Sequence, residues 1–138
     1  MVISRIKLAN FRNLKSFSAD TVAQLNLFQG GNGSGKTAVL EAICLMARGQ
    51  SFRTGPLGAL LNMESEDMAV HLDVLDSHKT SLCLSGIKRR GESLVFRVDG
   101  VNQNRGSVVS RFLPVQVVTP DESNLIFSGP SIQFVVHF

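Results

Sequence analysis

The sequence contains no tryptophan and no tyrosine, so nine phenylalanines must carry its aromatic packing. Cysteine is scarce too. Cys44 and Cys83 are too few and too unpatterned for a disulfide framework, and they read as reduced, buried thiols. His71, His78 and His137 fall at no spacing that would join them in a metal site. No apolar run approaches the ~18 residues that a membrane span needs. The opening MVISRIKLANFR interleaves charge with apolar residues, unlike the core of a signal peptide. These absences lead to the expectation of a cytoplasmic protein that does not engage a membrane. Charge of one sign is not concentrated either. The net charge of +3 and pI of about 9.2 are compatible with nucleic acid without requiring it.

What remains is the composition of a globular chain, 43% hydrophobic and 18% charged. At 138 residues it can build one modest domain around one core. No repeat, low-complexity segment or linker divides it.

Residues 30–37, GGNGSGKT, fit G-x-x-x-x-G-K-[ST], the phosphate-binding P-loop. Gly30, Gly31, Gly33 and Gly35 let the backbone turn with positive φ and approach a ligand closely. Consecutive N–H groups, those of Asn32 and Ser34 among them, then point into one concavity that suits a polyphosphate. Lys36 is expected on the β- and γ-phosphates, and the Thr37 hydroxyl on Mg²⁺. The flanks agree with this reading. LNLFQ (25–29) is the short apolar run expected of the strand before a P-loop. TAVLEAICLMA (37–47) has helical spacing, with Val39, Leu40, Ile43, Cys44, Met46 and Ala47 crowding one side. Glu41 early and Arg48 late suit the helix dipole, and Gly49 suits a helix stop. Strand, glycine loop and helix N-terminus together make an anion site.

The rest of the chain reads mostly as strands. VISRIKLANF opens it, and a turn at Asp20 precedes the P-loop strand. After the helix, residues 50–67 read as a loop with a short helix around 57–61. MAVHLDVLD (68–76) alternates, with Val70, Leu72 and Val74 on one face. TSLCLSGI (80–87) alternates through Leu82, Leu84 and Ile87. LVFRVDGV (94–101) follows, with Asp99–Gly100 as a hairpin signal. These three strands predict an antiparallel meander. SVVSRFLP (107–114) predicts a short helix ended before Pro114, and VQVVTP (115–120) an apolar strand.

FRNL (11–14), GGNGSGKTAVLEAI (30–43), RGQSFRT (48–54) and FLPVQVVTPDESNLIFSGPS (112–131) together resemble the N-terminal lobe of the RecF family. These are bacterial DNA replication and repair proteins, ATPases of the ABC/SMC-like class. The resemblance covers nearly the whole chain but only the front of a RecF, and SFRT and FRNL around the P-loop are its specific part. It implies an α/β fold, lobe I of an ABC-type P-loop NTPase, with a mixed sheet around the P-loop helix and an antiparallel β meander. It implies ATP and Mg²⁺ held by Gly30 to Thr37. Arg12 matches a basic position that approaches the nucleotide in related ATPases, against the plainer reading of a solvated turn arginine. Gln116 falls near where ABC-type ATPases carry a Q-loop glutamine, against a strand glutamine with no such duty. The resemblance also implies DNA as partner, at single-strand/duplex junctions, with RecR and RecO, in gap repair and the SOS response, and an ATP-dependent homodimer.

Several parts of the family pattern are not found. VVTPDE (117–122) reaches Asp121–Glu122, but Thr119–Pro120 interrupts a central Walker B strand. Asp99 sits in a hairpin turn, and no serine-glycine-glycine signature loop occurs. Hydrolysis by this chain alone is therefore not expected, and 1–138 reads as a single partial, truncated ATPase domain. After Gly129–Pro130 the chain departs from the family in a divergent apolar tail, 131–138. Lys88, Arg89 and Arg90 cluster at one turn, either as phosphate contacts for DNA or as a solvated loop. Two other classes stand beside the repair ATPase: a non-functional remnant or interaction fragment, and a stand-alone P-loop kinase or GTPase. The latter lacks an Asn-Lys-x-Asp motif and a kinase-like lid.

Overall fold

The computed structural model describes residues 1–21, 25–53, 55–117 and 136–137. Two long strands open the chain, Val2–Phe11 (β1) and Leu14–Asp20 (β2). The helix Lys36–Arg48 (α1) and a 3-10 turn at Leu57–Leu60 follow. Then come Asp67–Leu75 (β3), Ser81–Arg89 (β4), Val95–Val98 (β5) and Val101–Gln103 (β6). A short helix Gly106–Ser110 (α2) and two two-residue strands, Gln116–Val117 (β7) and Val136–His137 (β8), complete the described elements. The main sheet has the order β2-β1-β3-β4-β5-β6.

Alternation decides which face is covered. Met68, Val70, Leu72 and Val74 of β3 are buried, with neighbours of β3 only half-buried. Val70, Leu72 and Val74 pair with Leu8, Ile6 and Ile3 of β1. The pairing shifts by one residue between Ile3 and Arg5, so Ser4 is the extra residue of a bulge. Without it, Ile3 and Ile6 could not both face the core. On β4, Leu84, Gly86 and Lys88 take the covered side and Ile87 does not. Gly86 fits there because α1 approaches closely: a Cβ would stand 2.9 Å from Met46 Sδ.

α1 is covered on all sides rather than along the one stripe its sequence suggests. Every residue from Ala38 to Ala47 is buried, Glu41 included. The helix meets the sheet on one side, and α2 packs against it as well. Glu41 is therefore not a first-turn dipole partner but a buried charge that needs a specific partner.

The P-loop lobe expected from the sequence is present, with its helix and its antiparallel meander; Asp99 and Gly100 form the β5–β6 turn with φ of 48° and 81°. Each described strand pair is antiparallel, so the parallel part of the expected mixed sheet is not among the described residues. LNLFQ (25–29) is not a strand. A strand exists through its neighbours' hydrogen bonds, and no described strand pairs with this segment. Leu25 and Leu27 are 69% and 56% exposed, while Phe28 rests its ring 6.4 Å from that of Phe17. Of the expected strand 115–120, Gln116–Val117 is a strand, paired with β8, Val115 is not, and 118–120 lie outside the described residues. Asp121–Glu122 and tail residues 131–135 lie outside the described residues.

The basic turn is only partly the solvated cluster it resembles: Lys88 departs from that reading. Lys88 is buried, and its ammonium donates to the carbonyls of Arg89 and Glu92. Arg90 Nη2 donates to the carbonyls of Asn62, Met63 and Ser65. Two of the three cations thus donate to loop carbonyls, while Arg89 and Arg90 are both exposed. Cys44 is buried as expected but Cys83 only half-buried, and desolvation pushes both thiols above their usual pKa.

α1 ends at Gly49, whose φ is 72° and whose N–H reaches Leu45 O at 2.8 Å. A Cβ there meets only ordinary contacts, the nearest being Gly106 Cα at 3.5 Å. The cost of Gly49→Ala is therefore conformational, ~1–2 kcal/mol for a left-handed non-glycine residue. Urea unfolding followed by circular dichroism measures it; a change of a few tenths of a kcal/mol contradicts this account of the helix end.

Candidate nucleotide-binding site

FRNL is the turn of the β1–β2 hairpin, and each of its residues is committed to the P-loop region. Phe11 is wholly buried and bridges to Leu61. Arg12 adopts φ of 54°, a conformation uncommon for a residue with a Cβ. Asn13 Nδ2 donates to the carbonyl of Gly33 at 2.6 Å, tying the hairpin directly to the P-loop. Leu14 covers Gly35: any Cβ at 35 would run into the Leu14 side chain. Gly35 also has φ of 96°, so two independent constraints require glycine there.

Behind the loop lies a buried charge network. Arg12 grips Glu41 with two hydrogen bonds, Nε to Oε2 at 3.0 Å and Nη2 to Oε1 at 2.7 Å. Its Nη1 donates to Ala59 O at 2.9 Å. Ser51 Oγ donates to Glu41 Oε1 and in turn accepts the N–H of Arg53 at 3.0 Å. Asn62 Nδ2 holds the carbonyl of Arg12 at 2.8 Å. Glu41 has no exposed surface and the Arg12 side chain is 24% exposed. A paired guanidinium with further hydrogen bonds is what makes a buried carboxylate tolerable.

The P-loop bends over the N-terminus of α1. Lys36 Nζ donates to the carbonyls of Gly30 and, at 2.8 Å, Gly31. The Val39 N–H reaches Gly35 O at 3.0 Å, so α1 is wound from its first turn. In front of the loop is a cavity of about 920 Å³, the size of a small-molecule pocket. Its walls are residues 32–38, Arg12, Asn13 and Lys15 of the hairpin, Arg53, and Ala59 with residues 61–64. Four cations line it, Arg12, Lys15, Lys36 and Arg53, against the one acid Glu64. Lys15 pairs with Glu64 at 3.1 Å.

Of the residues that the sequence singles out, Asn32 to Thr37 and Arg12 converge on this cavity. Gly30 and Gly31 form the loop beneath Lys36. Gln116 does not join them; it lies exposed on β7, paired with His137. Glu41 and Ser51 were legible only as a helix acid and a loop serine. The one available signal was that both lie inside the segments carrying the family resemblance.

A glycine loop on a helix N-terminus, a lysine at its rim and a cationic pocket define the class of P-loop NTPases. The AAA ATPase domain family profile matches residues 1–88, and the chain belongs to that family. Within it the chain is similar to the "DNA replication and repair protein RecF" of Shewanella frigidimarina, at 36% identity over 131 residues. That match covers 94% of this chain and 36% of the relative. The RecF of Vibrio campbellii is 34% identical over 130 residues, with the same shares covered. The chain thus spans about 36% of the length of these relatives. Among solved structures, the recombination mediator protein RecF-ATPrS of the RecFOR pathway superposes with a TM-score of 0.79 at 27% identity. It covers 94% of this chain and 35% of that one. An SMC ATPase structure reaches a TM-score of 0.72 at 17% identity, which bears on the fold.

Removing Arg12 leaves Glu41 buried and uncompensated, which costs ~3–5 kcal/mol. Arg12→Ala is therefore expected to lower the urea midpoint sharply. Arg12→Ala/Glu41→Leu is expected to recover most of that loss, because it removes the stranded charge. Equal instability of single and double variants contradicts the network as described.

Proposed function

We propose that this chain is the ATP-binding lobe of a RecF-type DNA replication and repair protein. The observation that carries this is the joint placement of Lys36, the glycine loop and the hairpin turn around one cationic cavity. Gly30 to Lys36 cradle the phosphates. Lys36 exchanges loop carbonyls for phosphate oxygens, trading neutral acceptors for charged ones. Arg12 forms one wall, where its remaining N–H groups add to the cradle.

Mg²⁺ fits the donor set. Among the described residues no cluster of three or more His, Cys, Asp or Glu exists to hold a metal. Mg²⁺ does not need one, since it keeps waters and takes phosphate oxygens with one or two protein ligands. The Thr37 hydroxyl, on the first turn of α1, is the ligand we assign. Bound there, the ion neutralises phosphate charge.

Hydrolysis is not assigned to these residues alone. The pocket's acid, Glu64, is engaged with Lys15 rather than free to orient a water. DNA, RecR and RecO enter as partners through the similarity to RecF, together with ATP-driven dimerisation as in the SMC relative. Since Lys88 and Arg90 hold loops, we do not place the DNA surface on that turn. The second reading, a chain that no longer binds nucleotide, gains support only from the exposed Leu25 and Leu27 before the P-loop.

Calorimetric titration of ATP into the purified chain, with and without Mg²⁺, decides between these readings. Lys36→Ala is expected to weaken binding by roughly tenfold to a hundredfold, as for hydrogen bonds to a charged group. Identical titrations of wild type and Lys36→Ala overturn the assignment. For DNA, Arg90→Ala is expected to lower stability while leaving any salt-dependent DNA affinity in place; a reduced slope of affinity against salt contradicts that placement.

A further inference from the structure

The glycines of the P-loop are not held alike. A Cβ on Gly35 would strike the Leu14 side chain, so packing fixes that position. Gly33 has φ of 77° and is exposed, and a Cβ there would meet nothing within 4 Å. Sterics therefore leave the Gly33–Ser34 peptide able to turn over, as glycine permits. A hydrogen bond from outside the loop holds it instead. Asn13 Nδ2 donates to Gly33 O at 2.6 Å, from the turn of the β1–β2 hairpin.

That bond orients a donor. In a trans peptide the carbonyl and the following N–H point in opposite directions. With Gly33 O drawn towards the hairpin, the Ser34 N–H points back into the loop, where it reaches Gly31 O at 3.2 Å. Lys36 Nζ donates to the same Gly31 carbonyl at 2.8 Å. Two donors thus converge on one neutral acceptor, and an anionic ligand offers both a stronger one. Asn13 can impose this orientation because its own place is fixed. It follows Arg12, which Glu41 and Asn62 hold, and precedes Leu14, which lies over Gly35.

We propose that Asn13 is a positioning residue for the phosphate cradle: its side-chain amide fixes the Gly33–Ser34 peptide so that the Ser34 N–H is presented together with Lys36. This assignment rests on the nucleotide-binding reading above. It gives the hairpin turn two separate duties. Arg12 docks the turn on α1, and Asn13 carries that docking to the amides of the loop. Asn13 is exposed, so its bond contributes little to folding, and its effect falls on ligand affinity.

The test uses the full chain with two probes, ATP and inorganic tripolyphosphate. Asn13→Ala is expected to weaken both about two- to tenfold, the range of one hydrogen bond, with a thermal midpoint close to wild type. Asn13→Gln, which keeps the amide, is expected to recover part of that loss. In amide NMR spectra of the ligand-free chain, Asn13→Ala is expected to shift the Ser34 resonance, a change that loss of a direct ligand contact would not cause. If Asn13→Ala binds both probes like wild type while Lys36→Ala does not, this inference fails and the nucleotide site stands. If Lys36→Ala also binds like wild type, the nucleotide reading fails and the role of Asn13 with it. A loss confined to ATP, or weakened binding with an unmoved Ser34 resonance, makes Asn13 a direct ligand contact and overturns the positioning role.

Discussion

The structure around the P-loop depends on one buried ion pair. Glu41 lies in the interior of α1 with no exposed surface, where an unpaired carboxylate would be strongly unfavourable. Arg12 meets it from the hairpin turn with two hydrogen bonds, and Ser51 meets it from the loop after the helix. The hairpin turn, α1 and the loop that follows it are thereby given one fixed point. The pair contributes little net stability beyond what apolar residues of the same volume would supply. Its consequence is positional: the hairpin has one place to dock on α1, so its turn residues have one place to meet the P-loop.

That placement explains why the turn contains Arg12 and Asn13 together. Arg12 takes a left-handed backbone conformation at some cost. The conformation lets Arg12 turn back to α1 while the next residue, Asn13, reaches the Gly33 carbonyl. A β-hairpin turn chosen for stability alone would carry Gly or Asn at the left-handed position. Here the side chain at that position is needed for Glu41, and Asn62 secures the strained segment by holding the Arg12 carbonyl. The strain is maintained because the surrounding contacts over-determine it.

How much of this could be read from the sequence depends on the range of the interaction. The P-loop, α1 with its glycine stop, the alternation of β3 and the Asp99–Gly100 turn are local patterns, and each appears where the sequence places it. Glu41 reads locally as an acid early in a helix, because its real partner is 29 residues away. Asn13 and Gly33 are 20 residues apart and Asn62 and Arg12 are 50 apart. Periodicity has no access to such contacts. Lys88 fails for a related reason. A KRR run looks solvent-facing, yet the residue at 88 falls on the covered side of β4, and its long stem lets the ammonium reach carbonyls at the edge. LNLFQ fails because strand character is a property of a pair, and apolar composition says nothing about whether a partner lies alongside.

The irregular 25–30 segment sharpens what holds a P-loop in shape. In the usual arrangement a strand delivers the loop to the helix and fixes its entry. Here the entry is not a strand, and Leu25 and Leu27 are exposed, yet the loop still closes over the first turn of α1. The fixing comes from the side: Asn13 on Gly33, Leu14 over Gly35, and Lys36 folded back on the carbonyls of Gly30 and Gly31. A cradle held by side contacts does not need a strand at its entry to keep its shape. The cations then divide by what they already touch. Arg12 and Lys15 are paired with carboxylates and shape the walls, whereas Lys36 meets neutral carbonyls and the exposed Arg53 has no carboxylate within ion-pair distance among the described residues. The buried Glu41 thus compensates one arginine of the pocket and, through Ser51, fastens the loop that carries another.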